Sequence, residues 1–148
     1  RFSRDYTHCM EAGYRVIDHT ADRAIEVFAP DLGSLITQAA RGLIATVLDE
    51  HDLQPTSRRE VGAAADEPEV LIHDVLTELL YLIEDDELIP LAVELLRFEG
   101  DVVALAVDVA PLREALPYVT GLLKAVTYHG LEVRRTEAGL TTIVVFDT

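Results

Sequence analysis

Two short stretches of alternating apolar and polar residues flank one polar knot near the start of the chain. Tyr14-Arg15-Val16-Ile17 reads as a strand, and Ala24-Ile25-Glu26-Val27-Phe28 reads as a second. Between them, Asp18-His19-Thr20-Ala21-Asp22 gathers two carboxylates, an imidazole and a hydroxyl at a strand end or a bulge. Such a cluster is either a hydrogen-bonded turn or a site, and these residues alone favour neither.

The pattern then changes period. Pro30-Asp31 starts a helix, with Asp31 placed to cap its first turn. Leu32, Leu35, Ile36, Ala39, Ala40, Leu43 and Val47 recur at helical spacing through about Leu48. Gly42 within that helix marks a place of close packing against the sheet. Residues 57–65 suit a strand with Arg58 and Arg59 at its start. Asp66-Glu67-Pro68-Glu69 then combines an N-cap acid, a first-turn proline and a later Glu, which predicts a second helix start. That helix is apolar over so wide an arc that it is largely buried, and His73 and Asp74 form a narrow polar, solvent-facing strip. Glu84-Asp85-Asp86-Glu87 ends it with like charges that oppose the helix dipole, which hints at a surface for a basic partner. Residues 88–98, 102–109, 122–128, 131–135 and 140–146 read as further strands. Glu99-Gly100-Asp101 and Glu137-Ala138-Gly139 suit hairpin turns, and residues 111–120 a loop or short helical turn. The expected class is α+β, two helices packed on a mostly antiparallel sheet.

Length and composition narrow this picture. A chain of 148 residues, 49% of them apolar, is most simply one domain with a substantial core. Residues 1–13 read as a flexible polar leader and residues 14–148 as a single domain. Met10, the sole methionine, is a candidate natural start. No apolar run reaches the roughly 20 residues that span a bilayer, so the chain reads as soluble, cytoplasmic and without a membrane partner. Cys9 is the single cysteine and excludes an internal disulfide. A net charge of −15 repels polyanions and argues against tight nucleic-acid binding. It suits a divalent cation or a basic protein surface.

No phosphate-cradling glycine loop, nucleophile elbow or paired cysteine motif is present, and the histidines at 8, 19, 51, 73 and 129 are scattered. Asp49-Glu50-His51-Asp52 invites a metal reading, but consecutive residues at a helix end point apart, and a solvated run is the better account. Three stretches stay unusual: Asp18-His19-Thr20-Ala21-Asp22, Lys124-Ala125-Val126-Thr127-Tyr128-His129-Gly130-Leu131-Glu132-Val133, and the closing Val145-Phe146-Asp147. In this order, from about Tyr14 to Thr148, they closely resemble the archease family.

The resemblance implies a protein that is not itself an enzyme. Archeases are accessory proteins of an RtcB-type RNA ligase in tRNA splicing and RNA repair. They promote the ligase's GTP-dependent guanylylation and its multiple turnover. The resemblance implies the archease α+β sandwich and a divalent metal ion, seen as calcium. Its ligands here are Asp22 and Asp147, with Thr148 as a further ligand. Asp18, His19, Lys124 and His129 become candidates for supporting the site or facing the partner. Oxygen donors suit calcium or magnesium. Lys124 and His129 are expected on one strand at odd spacing, hence on opposite faces. This chain departs from the family at Gly121-Leu122, where Thr-Glu is common, and at Thr148, where Ile is common. Two other readings remain open at this stage. One is a small metal-dependent hydrolase using Asp22, Asp147 and His19; the other is a metal-independent acidic chaperone or scaffold.

Overall fold

A computed structural model describes residues 12–19 and 22–148, with Asp18 and His19 described through their backbone only. Cys9, Met10 and most of the expected leader lie outside the described residues, as do Thr20 and Ala21. The strands are β1 Gly13–His19, β2 Asp22–Ala29, β3 Ser57–Ala64, β4 Leu88–Glu99, β5 Val102–Pro111, β6 Ala125–Val126, β7 Arg134–Thr136 and β8 Gly139–Asp147. The helices are α1 Leu32–Val47, α2 Pro68–Glu84 and the short α3 Leu112–Ala115, which runs into a 3-10 turn at Leu116–Tyr118.

The α+β class is as expected, and the strands divide into two antiparallel sheets. One runs β1-β2-β8-β6, with β7 also paired to β8; the other runs β3-β5-β4. Helix α1 packs on β1, β2 and β4, and α2 packs on β3, β4 and β6, so each helix serves both sheets. This shared helix layer explains the wide apolar arc of α2, where Leu71, Ile72, Val75, Leu76, Leu79, Leu80, Leu82 and Ile83 are all buried. The core continues through Ile25, Val27, Leu35, Ile36, Leu43, Leu105 and Phe146.

Local signals in the sequence have physical counterparts. The Asp31 side chain accepts a hydrogen bond from Ser34 N–H at 2.8 Å and caps α1. A Cβ at Gly42 would lie 2.7 Å from Ile25 Cδ1 and 3.3 Å from Tyr14 Cβ, so α1 packs closely on β1 and β2 at this point. Helix α2 departs from expectation at its start. Its N-cap, Glu67, makes no side-chain cap. Glu69 instead reaches out of the helix, and its Oε2 accepts Val133 N–H at 2.8 Å. Of the expected solvent-facing pair, the Asp74 side chain is 45% exposed, as expected, whereas His73 is stacked under Tyr128.

Of the three last predicted strands, the first two are trimmed to Ala125–Val126 and Arg134–Thr136, while the third runs one residue further at each end, Gly139–Asp147. Pairing after Leu123 is confined to Ala125 and Val126, and a turn follows with Gly130 at φ 69°. Among the described residues, no helix is long and apolar enough to cross a membrane.

Candidate functional site

The site lies at the end of the larger sheet, where β2 begins and β8 finishes. Strands β2 and β8 are antiparallel, with Arg23 opposite Phe146, Ala24 opposite Val145 and Ile25 opposite Val144. Continuing that register by one residue brings Asp22 to Asp147. Residues so paired project from the same face of a sheet, with Cβ atoms about 4.5–5.5 Å apart. Two residues 125 positions apart in the chain, counting from 22 to 147, thus become cross-strand neighbours. Fully buried Phe146 anchors the end of β8 beneath them.

On the other side of β2, the β1 register sets His19 opposite Asp22 and Asp18 opposite Arg23. On the other side of β8, Ala125 is opposite Asp147, and Lys124 N–H donates to the Asp147 carbonyl at 2.9 Å. The backbone therefore collects Asp18, His19, Asp22, Lys124 and Asp147 at one sheet end, with exposed Thr148 following. His129 is elsewhere. It is exposed in the turn after β6, and its N–H donates to Thr127 Oγ1 at 3.2 Å. The expectation that Lys124 and His129 share one strand is corrected by this turn: alternation has no meaning beyond the two paired residues.

A side chain that the sequence reading did not single out holds this end together. Arg23 lies on the helix side of β2, in step with Ile25 and Val27. Its guanidinium donates to the Thr46 carbonyl in the last turn of α1, to the Gly121 carbonyl at 3.0 Å and to Thr120 Oγ1 at 3.0 Å. Thr120 Oγ1 in turn donates to the Thr46 carbonyl at 2.8 Å, and Thr120 N–H to the Val47 carbonyl at 2.9 Å. A cation placed on helix C-terminal carbonyls is favourable both as a hydrogen-bond donor and against the dipole. Arg23 thereby ties the strand carrying Asp22 to the loop that leads into Lys124. The signal was present in the sequence: a cation at a core-facing step of an otherwise apolar alternation.

The donor set fits a hard divalent cation. Adjacent aspartates offer oxygen ligands, and calcium completes its shell with carbonyls and water. A like-charged cross-strand pair is otherwise destabilising. Among the described residues, no group of three or more His, Cys, Asp or Glu side chains comes together for a metal. The run 49–52 is used locally: His51 Nδ1 accepts Leu53 N–H at 3.1 Å, and Asp52 accepts the Tyr118 hydroxyl at 3.0 Å.

Fold and site together define a class, an α+β sandwich with helices shared between two sheets and an aspartate pair at one sheet end. The model of the Archease protein family (MTH1598/TM1083) matches residues 14–148, and the chain belongs to that family. It is 31% identical over 139 residues to the archease of Methanosarcina barkeri, covering 90% of this chain and 94% of that one. The archease of Archaeoglobus fulgidus is 33% identical over 136 residues, covering 90% and 98%. Among solved structures, Methanobacterium thermoautotrophicum protein 1598 superposes with a TM-score of 0.72 at 21% identity, covering 92% of this chain and 99% of that one. The Thermotoga maritima archease, described as a possible chaperone, superposes with a TM-score of 0.61 at 25% identity, covering 89% and 94%.

Proposed function

We propose that this protein activates an RtcB-type RNA ligase, and that a divalent cation held by Asp22 and Asp147 belongs to that role. The observation that carries the reading is the β2–β8 register, which makes cross-strand neighbours of two aspartates otherwise expected to repel. A bound cation supplies positive charge and an oxygen-seeking coordination shell that a partner's carboxylates or phosphates can complete. The protein's own residues do the positioning. Arg23 fixes the start of β2 against α1 and the 120–121 loop. The β6–β8 pairing and the Lys124 N–H to Asp147 carbonyl bond hold Lys124 alongside Asp147. Exposed Lys124 then faces the partner. Asp18 and His19, one strand over by backbone register, support the site in this reading. In this reading the protein is an accessory factor working in the cytoplasm in tRNA splicing or RNA repair, and the chemistry belongs to the ligase.

The test is guanylylation of the cognate ligase, with GTP and calcium or magnesium, at sub-stoichiometric amounts of this protein. Wild type accelerates guanylylation, and Asp22→Ala and Asp147→Ala lose the effect while keeping their fold by circular dichroism. Full activity in both variants would instead favour the metal-independent scaffold. Turnover of a substrate by the isolated protein would favour the hydrolase.

A further inference from the structure

The second notable surface is built by α2 and the turn after β6. His73 and Tyr128 are stacked, with ring centroids 4.1 Å apart and planes 9° from parallel. The His73 side chain is 21% exposed, whereas Tyr128 is 52% exposed. One face of the phenol ring is therefore covered and the rest is open to a partner. His73 Nδ1 lies 2.9 Å from Asp74 Oδ1.

The turn carrying Tyr128 is fixed on both sides. Thr127 Oγ1 donates to the Val145 carbonyl at 3.0 Å, Leu131 N–H donates to the Tyr128 carbonyl at 3.1 Å, and Val133 N–H donates to Glu69 at 2.8 Å. Such a ring is presented before any partner arrives, so little conformational freedom is lost on binding. Its electrostatic surroundings are acidic. Burial pushes the Tyr128 phenol above its ordinary range, and the Asp74 and Glu67 carboxylates push it the same way.

We propose that the open side of Tyr128, backed by His73 and rimmed by Asp74 and Glu67, docks an arginine side chain of a basic protein partner. A guanidinium is planar, donor-only and weakly hydrated, and it stacks on aromatic faces while donating to carboxylates. The competing occupants fit less well. A nucleotide could stack on the ring, but its phosphates would meet Asp74, Glu67 and a chain of net charge −15. A purely apolar partner would strip water from these carboxylates and leave them unpaired. The inference goes beyond the ligase reading, because it requires only an exposed arginine on a protein and no metal at the sheet end.

The experiment is an NMR titration of the whole protein with a peptide of alternating Arg and Gly, and with the same peptide carrying citrulline in place of arginine. The arginine peptide shifts the ring resonances of Tyr128 and His73, and the citrulline peptide does not. Tyr128→Leu keeps bulk without the π face and weakens the arginine peptide about fivefold, the upper end of an exposed cation–π contact. Asp74→Asn also weakens it, whereas Glu94→Gln on the other sheet leaves it unchanged. Equal binding of both peptides overturns the proposal, and so does an arginine effect that Tyr128→Leu leaves intact. Retention of the native amide spectrum in Tyr128→Leu separates loss of docking from loss of fold.

Discussion

The outer face of one sheet and the strand end of the other place their charges differently, although the larger sheet has a cross-strand Arg15–Glu26 pair of its own. On β3-β5-β4, long charged side chains from the outer strands cross the central one. Arg58 pairs with Glu94 and with Asp108, and Arg97 pairs with Glu60 at 3.2 Å. The central strand below presents Ala104 and Ala106, each only 3% exposed because the ion pairs lie over them. Every one of these charges meets its opposite. At the end of β1-β2-β8-β6 the register instead sets Asp22 beside Asp147. The first arrangement is complete within the chain. The second sets two carboxylates side by side at a strand end, where their oxygens can serve a cation.

The largest expected effect tests what holds the aspartate-bearing end in place. Arg23→Met removes three donor contacts and takes the arginine donor from the Gly121 carbonyl, while the Thr46 carbonyl keeps the Thr120 hydroxyl. Charged hydrogen bonds of this kind contribute about 1.5–3 kcal/mol, and a loss of about 3 kcal/mol is expected in urea unfolding. The thermal midpoint falls by roughly 10 °C for a chain of this size. A change below about 1 kcal/mol would show that the strand end stands without its arginine.

Calcium sharpens the contrast between the sheets. At a hundredfold excess over its dissociation constant, a bound cation stabilises a folded protein by about 2.7 kcal/mol. Wild type is expected to gain on that scale in a calcium-dependent melting series, and Asp147→Asn to gain nothing. Without cation the order reverses. Asp147→Asn removes the repulsion and is as stable as wild type, or more stable by up to about 1 kcal/mol. Destabilisation of the cation-free variant would mean that the aspartates are not opposed in the way the register implies.

On the balanced sheet the effects are smaller. A double-mutant cycle of Glu60→Gln and Arg97→Met is expected to give a coupling below about 1 kcal/mol, because both side chains are exposed and the pair is open to solvent. The coupling shrinks as salt is raised from low concentration towards 1 M. A coupling that is large and insensitive to salt would make this face a structural keystone and remove the contrast.

Local chemistry was readable in the sequence, and long-range partnership was not. Both long helices, the Asp31 cap, the close approach at Gly42 and most strands follow from periodicity and turn residues. The division into two sheets does not, because an alternating strand looks the same whichever neighbour it takes. Glu69 shows the same boundary. Its spacing from the acids before Pro68 signals a capped helix start, yet its carboxylate is used by Val133, brought alongside only by the fold. Parity failed at Lys124 and His129 because pairing stops after Val126, and the number of paired residues is a tertiary property. Asp22 and Asp147 were joined in the sequence reading only through the family resemblance. The backbone register now gives that adjacency a geometric basis. Arg23 and the His73–Tyr128 stack were missed for the same reason: their partners lie far away in the chain.

The smallest effect belongs to the connection between the sheets, the segment that leaves β5, forms α3 and the 3-10 turn, and leads to β6. Tyr118 sits in that turn, and its hydroxyl donates to Asp52. The hydrogen bond to Asp52, followed by the carboxylate's charge, raises the phenol above its ordinary value of 10.0. The folded protein therefore holds this proton more tightly than the unfolded chain does. The stability linked to it is complete below pH 10 and is lost as pH rises through the folded-state value. Tyr118→Phe is expected to leave stability unchanged with pH from 6 to 9 relative to wild type, and to flatten the decline only above about pH 10. Asp52→Asn returns the Tyr118 ring titration, followed by NMR, towards the ordinary value. Because the pair is exposed, the shift reports the contact more than it stabilises the fold. A Tyr118 titration unmoved by Asp52→Asn would show that the hydroxyl does not depend on Asp52, leaving the Asp49 N–H to Tyr118 carbonyl bond at 2.8 Å, the Arg23 cluster and the Leu48–Val119 bridge among the links between the end of α1 and the segment that joins the two sheets.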